Sequence, residues 1–129
     1  MECRIVRGRR EKGFTLLEMM VVMAIIALLL TIAAPRYFVH LDRSREAALH
    51  QTLFIVRDAL DKFHMDRGRS PESLDELVAE RYLRRRPTDP LTERADTWRI
   101  TAGENGIGVG DLHSGAEGRG LDGSRYADW

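Results

Sequence analysis

The first half of the chain carries an unbroken apolar run. Residues 19–34 contain no charged side chain, and Thr31 is the one polar residue among them. Extended to Phe14–Ala34, the run would measure about 31 Å as an α-helix, close to the hydrocarbon thickness of a bilayer. The pattern predicts a membrane-spanning helix over residues 14–35.

A buried core helix or a secretory signal would account for this run less well. A buried core helix would need the rest of a small chain to cover a helix that is apolar on every side. A cleavable secretory signal has a shorter hydrophobic region and ends in a small-residue cleavage site. The segment Ile32-Ala33-Ala34-Pro35 is a poor version of such a site.

Beyond Pro35 the apolar positions recur mostly three or four residues apart, with charged residues between them. This spacing is typical of an amphipathic helix, here over residues 36–66. We therefore expect one continuous helix from Phe14 to about Asp66. Its predicted apolar stripe comprises Tyr37, Leu41, Ala48, Leu49, Leu53, Val56, Leu60 and Phe63.

Residues 67–112 are predicted to form a short helix and a small antiparallel sheet. Ser70-Pro71-Glu72 is typical of a helix start, with an N-cap followed by a first-turn proline. Alternation at 98–101 and 107–109 predicts a β-hairpin, and residues 111–113 are a possible third strand. Two strands alone are marginal, so we expect them to pack on the amphipathic helix, giving an α+β fold.

Charge divides the chain unevenly. The 129 residues hold twenty basic and twenty acidic side chains. The formal net charge is therefore zero and does not indicate a nucleic-acid partner. Residues 1–13 nevertheless carry five basic and two acidic side chains. Basic residues before the span place residues 1–13 in the cytoplasm and the chain after Pro35 on the other side. The single cysteine, Cys3, lies in this segment, which excludes a disulfide-stapled fold.

Glu18 interrupts the apolar character near the cytoplasmic end of the predicted span. A carboxylate at this depth is costly unless it is neutralised, reaches the interface or is paired. It could be a glutamate tolerated one turn into the helix. Alternatively, its charge partner comes from another chain.

The residues around Glu18 resemble a known processing motif. The string KGFTLLEMMVV, from Lys12 to Val22, is similar to that of type IV prepilins and type II secretion pseudopilins. In these families a membrane-embedded aspartyl peptidase cuts after the glycine and methylates the new terminal residue. The resemblance implies cleavage between Gly13 and Phe14, removing leader residues 1–13.

The same resemblance implies a role for Glu18 in assembly. Cleavage creates an amine at Phe14, and Glu18 of one subunit would pair with the Phe14 amine of its neighbour. A subunit inserted at the wrong height would leave a buried charge unpaired, at a cost of several kcal/mol. A small residue at position 13 would let the peptidase approach the backbone closely.

The C-terminal segment 113–129 is rich in glycine and acidic residues. Its composition alone suits either a flexible polar tail or a calcium loop, because Ca²⁺ takes hard oxygen ligands. Together with residues 66–90, it resembles the major pseudopilins of type II secretion systems. That family's loop binds calcium, which implies Glu117, Asp122 and Asp128 as side-chain ligands. The family usually has Asp where this chain has Glu117, and the loop is about one residue short.

The resemblance implies a type IV pilin-like structural subunit rather than an enzyme. It would polymerise through its N-terminal helix into a periplasmic pseudopilus that helps to export folded proteins. Its implied partners are further copies of itself, the prepilin peptidase, minor pseudopilins and an inner-membrane assembly platform. The precursor would be a single-pass inner-membrane protein with a cytoplasmic N-terminus and a periplasmic head.

Two alternatives stay open from the sequence. One is a type IV pilin or minor pilin used for adhesion, motility or DNA uptake. The other is an uncleaved, single-span anchored periplasmic binding module whose basic triplet, residues 84–86, contacts an acidic ligand.

Overall fold

A computed structural model describes residues 12–129. Its elements are α1 (Leu16–Arg67), α2 (Leu74–Ala79), β1 (Arg99–Ala102) and β2 (Val109–His113), with single 3₁₀ turns at Glu104–Gly106 and Tyr126–Asp128. A long helix, a short helix and a two-stranded antiparallel sheet confirm the predicted α+β, type IV pilin-like fold. Most of the predicted leader, residues 1–11, lies outside the described residues.

The described chain contains two compact units. The first extends to Phe38 and the second is Val39–Trp129. Helix α1 is continuous over 52 residues and includes Pro35, as predicted, although it begins at Leu16 rather than at Phe14. Every described side chain of the first unit is exposed, so all buried side chains among residues 12–129 belong to the second.

The core of the second unit is built on one stripe of α1. Apolar side chains at 49, 53, 56, 60 and 63 are buried there, as the spacing predicts. Ala48, predicted to lie in this stripe, is exposed because it lies one residue, about 100° of helix, away from Leu49. The buried apolar residues from the other elements are Leu74, Leu77, Leu83, Trp98, Val109 and Leu112.

Helix α2 begins three residues later than predicted. Ser73, rather than Ser70, is the N-cap, and its hydroxyl accepts a hydrogen bond from the Glu76 amide at 3.3 Å. The predicted first-turn proline has another role. Pro71 is buried, and its carbonyl accepts a hydrogen bond from the Val109 amide at 2.7 Å. This hydrogen bond ties residue 71 to the start of β2, and α2 begins only after that point in the chain.

The predicted third strand is wrong. Residues 111–113 are the second half of β2, and the sheet in the described chain has two strands. Ile100 pairs with Leu112, and the register shifts between Thr101 and Ala102. Gly110 is the extra residue, and a Cβ there would meet the Ala102 carbonyl oxygen. This bulge breaks the alternation, which made one strand look like two.

Candidate processing and assembly site

The start of α1 is defined by a hydroxyl cap. The Thr15 Oγ1 accepts a hydrogen bond from the Glu18 amide at 3.1 Å. Such a cap satisfies one of the amides that has no partner inside the helix, and Thr-x-x-Glu is the sequence of a capping box. Glu18 therefore lies in the first turn, where the helix dipole favours a negative charge.

Gly13 and Phe14 precede the helix in a non-helical segment. A Cβ added at Gly13 would have nothing within 4 Å, and the backbone there is not left-handed. Phe14 is 79% exposed. The described fold therefore requires no particular side chain at either position. Any requirement for glycine at position 13 must come from another protein that binds the backbone there.

The following helix presents its apolar surface entirely to its surroundings. Between Phe14 and Val39 the large apolar side chains are 43–80% exposed. Transferring such surface out of water is favourable by about 25 cal/mol per Å². Helix α1 contains a stretch long and apolar enough to cross a membrane, judged by length and composition. Thr31 is accommodated within it, because its hydroxyl donates to the Ala27 carbonyl at 2.9 Å.

The structure does not assemble the predicted calcium ligands. Glu117, Asp122 and Asp128 do not converge, and residues 12–129 contain no group of three acidic, histidine or cysteine side chains arranged to hold a metal. Asp122 accepts hydrogen bonds from the amide and hydroxyl of Ser124 at 2.9 and 2.6 Å. Asp128 pairs with Arg125 at 3.0 Å. The donor set does not fit a calcium site, and calcium binding itself stays a prediction.

The C-terminal segment is instead tied to α1 by a buried acid. One carboxylate oxygen of Glu46 accepts hydrogen bonds from the Leu121 amide at 2.8 Å and the Tyr126 hydroxyl at 3.0 Å. Burial, followed by this hydrogen bond, raises the pKa of Tyr126 to about 12. Sequence reasoning missed Glu46, although its position three residues before Leu49 places it on the buried stripe.

An arginine three turns further along α1 makes the second attachment. Arg57 Nε donates to Asp111 at 2.8 Å, and its Nη2 donates to the main-chain oxygens of Leu112 and Trp129 at 3.2 and 2.8 Å. Arg57 is half-buried, so water screens these bonds only in part. The sequence showed it only as one charge of the polar face.

Two histidines, His50 of α1 and His113 of β2, contact Trp129. The His50 ring stacks on the Trp129 ring, with centroids 4.2 Å apart. His113 Nδ1 lies 2.7 Å from the main-chain oxygen of Trp129. Trp129 is half-buried.

Asp89 makes a third, fully buried connection. Its carboxylate accepts hydrogen bonds from the Leu91 amide at 2.9 Å, the Ser114 hydroxyl at 2.6 Å and the Gly115 amide at 3.2 Å. Three donors compensate the desolvation of the acid. The beginning of the C-terminal segment is thereby joined to the loop after Asp89.

Comparison with known proteins identifies the family. Residues 8–34 match the family described as the prokaryotic N-terminal methylation motif. The type II secretion system core protein G of Aeromonas hydrophila is 30% identical to this chain, with 64% of this chain and 68% of the relative covered. The chain belongs to the type IV pilin-like pseudopilins. The predicted resemblance is confirmed.

Further relatives of this pseudopilin carry two kinds of name. The type II secretion system core protein G of Klebsiella pneumoniae is 30% identical, over 64% of this chain and 70% of the relative. Competence protein ComGC of Bacillus subtilis is 32% identical, over 73% of this chain and 93% of the relative. No solved structure gives a significant match.

Family membership explains why the apolar half of α1 is exposed. A pseudopilin with one long apolar N-terminal helix is a membrane-anchored protein. The chain spans about two thirds of the length of the secretion relatives. None of the relatives described above has the name of an enzyme.

Proposed function

We propose that this pseudopilin is the structural subunit of a type II secretion pseudopilus and catalyses no reaction. A prepilin peptidase removes residues 1–13 and methylates Phe14. The mature chain then polymerises through its N-terminal helix, together with minor pseudopilins and an inner-membrane assembly platform, to help export folded proteins. The precursor crosses the inner membrane once, with its N-terminus in the cytoplasm and its head in the periplasm.

One observation carries this proposal. An accessible Gly13–Phe14 bond lies directly before a capped helix whose apolar side chains are all exposed as far as Val39. The bond can enter a peptidase site without disturbing the core. The exposed helix can then exchange lipid for neighbouring copies of itself, a transfer that leaves its apolar surface out of water throughout.

Glu18 provides the charge that sets the register of this polymer. Its carboxylate lies in the first turn of α1, one turn after the amine that cleavage at Phe14 creates. In a bundle of such helices, each Glu18 pairs with the amine of an adjacent copy in a low-dielectric core. The attraction is largely offset by desolvation, so the pair contributes more to register than to affinity.

Mass spectrometry of the membrane fraction tests the processing step. The wild-type chain is expected to begin at N-methylated Phe14. Gly13→Leu is expected to remain uncleaved, whereas Gly13→Ala, a small side chain in the same open space, is expected to be cut. An intact N-terminus in the wild type would contradict the proposal and favour an uncleaved anchored binding module. Normal cleavage of Gly13→Leu would contradict the steric argument.

A second candidate function is a pilus used in DNA uptake. The likeness to competence protein ComGC, which covers 93% of that relative, favours it. Deletion of the gene discriminates the two functions. Loss of folded proteins from the culture medium, with transformation unchanged, supports the secretion pseudopilus. Loss of transformation with normal secretion supports the competence pilus.

A further inference from the structure

The attachment of the C-terminal segment is a feature that family resemblance does not explain. We define the C-terminal loop as residues 114–129. Of the three acids expected to bind calcium in this loop, Asp122 and Asp128 are held by protein donors from the loop itself. The contacts that join the loop to the rest of the head include ones from α1, from Asp89 and from His113 of β2.

Glu46 and the loop satisfy each other. Glu46 is 9% exposed, and the donors that reach its carboxylate, the Leu121 amide and the Tyr126 hydroxyl, both belong to the loop. A buried carboxylate without donors is costly, and hydrogen bonds to a charged acceptor are stronger than neutral ones. Docking of the loop therefore supplies the donors that compensate for the burial of the Glu46 carboxylate.

Arg57 joins oxygen atoms of β2 to one at the end of the loop. Its guanidinium donates to a carboxylate, that of Asp111, and to two main-chain oxygens, those of Leu112 and Trp129. Carboxylates and main-chain carbonyls are the oxygen types that calcium gathers in proteins. The fork geometry of arginine lets one side chain hold several such oxygens at once.

We propose that Glu46 and Arg57 hold the C-terminal loop on the head, so that the loop folds without calcium. Both side chains arise from α1, and their attachment points in the loop are Leu121, Tyr126 and Trp129. The ring of His50, stacked on Trp129, adds an aromatic contact between the two attachments. The helix that forms the core thus also positions the loop.

The calcium arm of the test uses the full-length chain in detergent micelles. Thermal unfolding is followed by the fluorescence of Trp98 and Trp129, with either EGTA, about 10 mM Ca²⁺ or the same concentration of Mg²⁺. That concentration exceeds the Kd of roughly 10⁻⁴–10⁻³ M of weak extracellular calcium sites. The melting temperature is expected to agree within about 1 °C in the three conditions.

Calcium binding to the folded head would change the melting temperature by clearly more than this. An ion bound to the folded state alone, at ten times its Kd or more, would raise the melting temperature by roughly 5 °C or more. A rise of that size with calcium and not with magnesium would overturn the proposal. Increased protection of residues 114–129 from hydrogen exchange with calcium alone would do the same.

The side-chain arm measures hydrogen exchange of peptides from the loop and from α2 in the same sample. Glu46→Ala or Arg57→Ala is expected to speed exchange in residues 118–129 by about tenfold or more, with α2 much less affected. Glu46→Gln keeps an acceptor oxygen and is expected to restore part of the protection. Arg57→Lys, with a single nitrogen, is expected to restore little.

Arg45→Ala is the matched control for these substitutions. Arg45 lies next to Glu46 on α1 and faces Glu93 at 3.7 Å on the exposed surface, so its removal is expected to leave loop exchange unchanged. Unchanged loop exchange in both Glu46→Ala and Arg57→Ala would contradict the proposal. These measurements use unassembled chains, so their failure would leave the proposed secretion function untouched, and the reverse also holds.

Discussion

One helix contains two regions with opposite relations to their surroundings. Before Val39, the large apolar side chains of α1 are at least 43% exposed. From Glu46 onward, one stripe of the same helix is buried by α2, the hairpin and their connections. Equally apolar residues therefore have different roles, because the chain covers the second region itself and leaves the first to lipid or to other copies.

The two glutamates of α1 show the same contrast. Glu18 is exposed, and its main-chain amide donates a hydrogen bond to the Thr15 hydroxyl. Glu46 is buried, and its carboxylate accepts two hydrogen bonds from the chain's own loop. For Glu46 the fold supplies the partner internally, whereas the partner proposed for Glu18 is another copy of the chain.

Truncation of a core residue should produce the largest difference between the two regions. Phe63 is fully buried, so Phe63→Ala is expected to lower the free energy of unfolding of the head by about 3–5 kcal/mol. Leu28, which is 64% exposed, provides the matched control. Leu28→Ala is expected to leave that free energy unchanged and to reduce filament yield. Urea unfolding in micelles, followed by tryptophan fluorescence, measures the free energy of unfolding of both variants. Equal losses of this free energy in the two variants would contradict the division of α1 into a covered and an exposed region.

Replacement of the exposed acid should affect assembly alone. Glu18→Gln is expected to be cleaved normally but to leave the neighbouring Phe14 amine unpaired, at a cost of about 3 kcal/mol per contact. Filament yield, measured by shearing and electron microscopy, should fall strongly while the unfolding of the head is unchanged. Wild-type yield from this variant would eliminate the register role of Glu18.

The hydrogen bond between Tyr126 and the buried Glu46 makes the stability of the head depend on pH. Burial and the Glu46 hydrogen bond raise the pKa of Tyr126 to about 12, against 10.0 for the unperturbed group. A raised pKa means that this contribution to stability is complete below pH 10 and is lost as the pH rises towards 12.

Tyr126→Phe is therefore expected to destabilise the head by about 1.5 kcal/mol at pH 8. The difference from wild type should shrink between pH 10 and 12, because the wild type alone loses this contribution there. Urea unfolding of both chains across this pH range measures the difference. If the difference in stability stays constant from pH 10 to 12, ionisation of the Tyr126 hydroxyl is not coupled to folding.

The smallest expected effect concerns the helix start. Thr15→Ala removes the cap on the Glu18 amide and is expected to destabilise the first turn by about 1 kcal/mol. Thr31→Ala is the control, because its hydroxyl only returns to the Ala27 carbonyl inside the helix. Hydrogen exchange of the first-turn amides should rise in the first variant and not in the second. Equal exchange in both would rule out the cap.

Local patterns predicted much of this molecule. The apolar run and the three-to-four spacing predicted one helix, and α1 extends from Leu16 to Arg67. The alternation at 98–101 and 107–109 predicted the hairpin. Errors arose where a long-range contact replaced a local preference: Pro71 bonds to Val109 instead of opening α2, and the bulge at Gly110 divides β2.

The candidate sites divide in the same way. Gly13, Phe14 and Glu18 form a contiguous motif, so their spacing is readable from the chain and family membership supports it. The calcium ligands were assigned by resemblance to a loop whose order depends on distant residues. Glu46 and Arg57 contact that loop across 75 and 72 residues, a separation at which no sequence pattern operates.

By itself, the sequence determined that this protein has an apolar helix with a processing motif at its start, because helix periodicity and cleavage signals depend on neighbouring residues. Tertiary structure alone decided which half of that helix is covered and which acid receives an internal partner. The physical reason is that burial and buried hydrogen bonds depend on residues far apart in the chain, whose meeting is a property of the complete fold.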